Sequence, residues 1–170
     1  MRHKTVFIAK EEDAMRFKQL FEDWSLTNIK INVGFAEAEF NPSPQDEEAA
    51  WEMYVELITR VSTQRLLPEH GDESAALASI RELFQTTRDI LKSRGRNCRE
   101  FSKIAIIVLN QIIRPFTSKW HKIDLDNGFI VAENRELFRI ELADLQINLS
   151  NYTKLLSSIA KVEDLTDIEN

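Results

Sequence analysis

A mainly α-helical fold, a four-helix bundle with a small N-terminal strand–helix–strand appendage, is what this 170-residue sequence predicts. Three observations carry the prediction. Only four glycines and four prolines are present, too little turn material for an all-β chain. Residues 105–113 form an uncharged run, apolar on nearly every side, and a helix of that kind has to be wrapped by protein. It is too short to cross a bilayer. Finally, Phe138, Leu142, Leu145, Leu149, Tyr152, Leu156 and Ile159 recur at alternating steps of four and three. That is the seam of a helix crossing a neighbour at a shallow angle.

Taken in order, residues 1–36 read as a strand–helix–strand unit. Thr5-Val6-Phe7-Ile8-Ala9 favours a strand, and Ala14, Phe17, Phe21 and Trp24 mark one face of a helix. Ile29, Ile31, Val33 and Phe35 alternate with Lys30, Asn32 and Gly34 as in a half-buried strand. Two strands rarely stand alone, so a third is expected from Phe129-Ile130-Val131-Ala132 or from another chain. Residues 37–45 carry two prolines and read as a linker, 46–162 as the bundle and 163–170 as a frayed acidic tail.

Ser43-Pro44-Gln45-Asp46 is a helix start, with a Ser cap and Pro at the first helical position. That helix is predicted to run to about Leu66. After a turn at residues 68–72, a second runs to Arg94 with Leu77, Ile80, Phe84, Thr87 and Leu91 on one stripe, closed by Gly95. Asn97, with Glu100 three positions on, is placed to cap the third. Pro115 strips a backbone donor and disfavours helical geometry at Arg114, so a helix break is expected there. The fourth helix starts near Asn134.

The net charge of −6 argues against a broad nucleic-acid footprint, and no DNA partner is expected. Basic residues around Lys92, Arg94, Arg96, Arg99 and Lys103 suit a helix end. Cys98 is alone, so neither an intramolecular disulfide nor a cysteine-pair metal site can form. The three histidines are too far apart for a zinc-binding helix face. Asp124-Leu125-Asp126-Asn127-Gly128 puts its glycine one position early for a calcium loop. A glycine-rich phosphate loop and a serine-hydrolase elbow are both missing. The expectation is a cytoplasmic protein with no cofactor, no metal and no membrane contact.

Arg114 and His121, with six residues between them on a four-helix bundle, resemble the signature of HEPN-type ribonucleases. The resemblance implies metal-independent RNA cleavage at a dimer interface, the pair acting at the 2′-hydroxyl and the scissile phosphate. Histidine titrates near neutrality and arginine stabilises phosphorane charge. In a purely structural role, Arg114 would cap carbonyls freed at the helix break while Trp120 and His121 seal the core edge. Arg60, Arg88 and Arg114 are candidates to hold a small anion, although Glu56 four residues before Arg60 sets up an intrahelical pair. Trp51, Phe138, Leu142 and Tyr152 are candidate interface residues. The function expected is a non-catalytic interaction module of a larger prokaryotic assembly, working through a protein partner or homo-oligomer. The alternatives are the HEPN-like ribonuclease, the only reading with RNA as partner, and a small-anion sensor.

Overall fold

Ser43 starts the first long helix through a reciprocal cap. The computed structural model describes residues 14–26 and 28–168. The Ser43 hydroxyl accepts the Asp46 amide at 3.2 Å, and the Asp46 carboxylate accepts the Ser43 amide at 2.8 Å. Helix α3 (Pro44–Ile58) follows and buries Ala49, Ala50, Met53, Tyr54 and Leu57. It ends earlier than expected from its apolar pattern. Ser62 and Thr63 donate their hydroxyls to the Leu57 carbonyl, at 2.7 and 3.0 Å. Side chains that satisfy terminal carbonyls so well compete with further helix.

Helix α4 (Glu73–Arg94) is capped by Asp72 and stops at Gly95, whose φ of +68° suits glycine. Helix α5 (Arg99–Ile107) is not capped by Asn97 as the sequence suggested. Its Phe101 amide is taken instead by Asp46 of α3, at 2.9 Å. One buried carboxylate therefore serves two helix starts, and the electrostatics suit it.

The expected break at Pro115 does not occur. Residues Val108–Ile113 form a π turn, the Arg114 amide reaching back to the Leu109 carbonyl, and α6 (Arg114–Leu125) continues directly. A wider turn is one way for a helix to absorb a proline that cannot donate and crowds the carbonyl four residues back. Helix α7 (Ala132–Ala160) then spans 29 residues, about 43 Å, with its whole seam buried.

The protein is mainly helical, with no strand among the described residues. The strand expected at residues 5–9 lies outside them. The one expected at 29–35 is absent: α2 (Val33–Ala36) begins there, its Phe35 amide capped by Asn32 at 2.8 Å. Lys30 gains a side-chain partner in place of a strand, for Gln111 accepts its amide and donates to its carbonyl, each at 2.7 Å. Residues 129–130 form a tight turn rather than a third strand. An isolated antiparallel bridge joins Arg16 to Glu39.

Helix α1 (Phe17–Asp23) buries Phe17, Leu20 and Phe21 in the same core as the long helices. The acidic C-terminal segment is held too. Tyr54 donates to the Glu163 carbonyl at 3.3 Å and accepts the Leu165 amide at 2.8 Å, and Thr166 is buried. No helix among the described residues is long and apolar enough to cross a membrane.

Candidate functional site

Helix α6 presents two stripes with different jobs. Phe116 and Trp120 face the core, where Trp120 stacks on Phe129 at 5.8 Å and meets Phe138 edge-on at 5.2 Å. The Trp120 indole N–H donates to Glu141 of α7 at 2.9 Å, and Lys119 pairs with the same carboxylate. Arg114, Thr117, Ser118 and His121 recur at steps of three, one and three, and so share the other stripe, toward α4.

Across from them, α4 places Arg81, Phe84 and Arg88. Together the two helices line an open cleft of about 320 Å³. The Arg114 guanidinium lies over the Phe84 ring at 4.9 Å, and its Nε and Nη2 donate to Asn110 Oδ1 at 3.1 and 3.0 Å. It is exposed and caps no carbonyl, contrary to the purely structural expectation. Thr117 spends its hydroxyl proton on the Ile113 and Arg114 carbonyls, at 3.2 Å each. His121 is half-buried, and its Nδ1 has no hydrogen-bond partner among the described residues. Such a nitrogen has unspent bonding capacity.

Three arginines line the cleft, Arg81 and Arg88 from α4 and Arg114 from α6. Arg81, Arg88 and Arg114 have no carboxylate within ion-pair distance among the described residues. Arg88 is met only by the Gln85 amide oxygen, at 3.0 Å. Some arginines elsewhere are matched, Arg94 by Glu52 and Arg139 by Glu73 at 2.7 Å, while Arg65, Arg96, Arg99 and Arg135, like the three of the cleft, have no carboxylate within ion-pair distance among the described residues. Arg60 is held by Glu56 and Glu82, each at 2.6 Å. Burial works against the Arg60 charge, but hydrogen bonds to those two carboxylates outweigh it and raise the pKa. Of the three arginines expected to hold an anion, then, Arg88 and Arg114 share the cleft, whereas Arg60 is committed to carboxylates.

Arg81 was missed by the sequence reading, although it lies seven residues before Arg88, on the same helix face. The interface candidates divide differently. Phe138, Leu142 and Tyr152 are at most 1% exposed and offer a partner nothing to touch. Their seam is the core itself. Burial also raises the Tyr152 pKa strongly, keeping its phenol neutral. Trp51 is 44% exposed and stacks on Tyr54 at 5.9 Å.

Among the described residues no three His, Cys, Asp or Glu side chains gather as a metal site would need. No family model matches the chain, and no curated protein or solved structure shows significant similarity to it.

Proposed function

We propose that this chain is an anion-recognising helical module, its long helices read as a four-helix bundle, and that the cleft between α4 and α6 takes a phosphate group. The observation that carries the reading is a set of three arginines from two helices, without carboxylate partners among the described residues, in a protein of net charge −6. Guanidinium forks match phosphate oxygens two at a time, and their combined charge calls for a ligand carrying more than one negative charge. The exposed Ser118 hydroxyl adds a further hydrogen-bonding group at the same wall.

Titrating the protein with inorganic phosphate while following backbone amide signals tests this. Saturable shifts are expected along Arg81, Arg88, Arg114 and His121, and Arg114→Ala weakens binding about tenfold to a hundredfold. The affinity falls as salt rises. Shifts that never saturate, or that ignore Arg114→Ala, overturn the reading.

A second reading is metal-independent RNA cleavage, favoured by Arg114 and His121 lying on one wall of one cleft. One chain supplies a single imidazole there, so separate acid and base roles would call for two copies. Single-stranded RNA incubated with the protein and EDTA should then be cut, and His121→Ala should abolish the products with the fold intact. Uncut RNA rejects cleavage but leaves phosphate binding standing. The assembly role expected from the sequence now rests on Trp51 and on Ile140 and Ile147, which are exposed on the outer face of α7.

A further inference from the structure

We infer that Asn110 is a positioning residue for the phosphate site, orienting the Arg114 guanidinium while leaving its charge uncancelled. The inference rests on the phosphate reading of the cleft and adds a residue that does not itself line it.

An exposed arginine has several rotatable bonds, and fixing them for a ligand costs rotamer entropy. Arg114 is already held on two sides. Phe84 covers one face of its guanidinium at 4.9 Å, and Asn110 Oδ1 accepts from both Nε and Nη2. The far edge, with Nη1, has no partner among the described residues and faces outward for an anion. The same residues in a looser arrangement would give charge without direction.

The chemistry of the acceptor matters as much as its place. Arg60, Arg94 and Arg139 are oriented by carboxylates, and each thereby loses most of its pull on an outside anion. A neutral amide oxygen aims Arg114 without that neutralisation. Asn110 also sits in the π turn. Its neighbour Gln111 clips the Lys30 backbone at both ends, which ties the turn to the N-terminal segment and fixes the frame from which Asn110 reaches.

Two readouts separate orientation from charge. In the ligand-free protein, Asn110→Ala should speed solvent exchange of the Arg114 Nε proton, whereas Asn110→Asp should preserve its protection. With inorganic phosphate, Asn110→Ala should weaken binding about three- to tenfold. Asn110→Asp should weaken it at least as much, because its carboxylate pairs with the guanidinium. In an Arg114→Ala background, Asn110→Ala should have no further effect. The inference is overturned if Nε exchange is unchanged in Asn110→Ala, or if that substitution costs the same affinity with and without Arg114. Nε exchange needs no ligand, so a protein that fails to bind phosphate would reject the reading above while this measurement still decides the role of Asn110.

Discussion

Trp120→Ala is expected to destabilise the fold by about 3–5 kcal/mol, the usual range for removing a large buried aromatic. The side chain is fully buried at the junction of α6, α7 and the turn before α7. It contacts Phe116, Phe129 and Phe138, with ring centroids 6.5, 5.8 and 5.2 Å away. Alanine would leave a void lined by those rings, and it would take from Glu141 the indole N–H it accepts at 2.9 Å, leaving Lys119 as its remaining partner. Trp120→Phe separates the two contributions: it keeps most of the ring contacts but loses the donor, so it should cost markedly less. Urea unfolding followed by far-ultraviolet circular dichroism checks both variants. A loss below about 1 kcal/mol for the alanine variant, the scale of an ordinary surface change, would show that α6 is not packed as described.

The same junction shows what could be read from the sequence and what could not. The seam of α7 was legible because a repeat of four and three residues has few explanations other than burial. Every seam residue is indeed buried. That success excludes Phe138, Leu142 and Tyr152 as docking residues, since a seam cannot both close the core and face a partner. The π turn was not legible. Rules for proline weigh a lost donor against local geometry, and locally a break wins. Here Ile104, Val108, Ile113, Phe116 and Trp120 all reach the core on both sides of Pro115. Breaking the rod would expose that surface, whereas a widened turn keeps it buried. Long-range packing decided the outcome, and no window around Pro115 contains it.

The region 29–35 teaches a related lesson. Alternation correctly marked Ile29, Ile31 and Phe35 as packing against the core but not Val33, which is exposed, and the backbone forms no strand. The Lys30 amide and carbonyl are instead satisfied by Gln111, 81 residues away, and a side-chain partner of that kind leaves no periodic signal. The cleft was legible in part. Arg114 was paired with His121, and Arg88 was grouped with Arg114 and Arg60, but which of these meet depends on how α4 lies against α6. Arg81 carried a signal in its seven-residue spacing from Arg88, and Asn110 carried none beyond standing four residues before an arginine.

Removing the carboxylate of Asp46 should be the costliest polar substitution in the protein, with Asp46→Ala losing about 2–4 kcal/mol. Asp46 is 1% exposed and accepts from the Ser43 amide, the Ser43 hydroxyl and the Phe101 amide, at 2.8, 2.9 and 2.9 Å. Loss of an N-terminal cap costs about 1 kcal/mol, and an orphaned buried donor adds about 1–3 kcal/mol. Both penalties apply at once, because the starts of α3 and α5 depend on the same side chain. Asn97, the cap expected from sequence, is exposed and offers α5 no replacement. Asp46→Asn retains an acceptor for one amide but loses the charge that two positive helix ends favour, so it should fall between alanine and wild type. Hydrogen exchange gives the sharper test. The Phe101 amide should lose its protection in Asp46→Ala by a larger factor than amides in the middle of α7. If both regions lose protection equally, Asp46 contributes only to global stability, and the proposed link between the two helix starts fails.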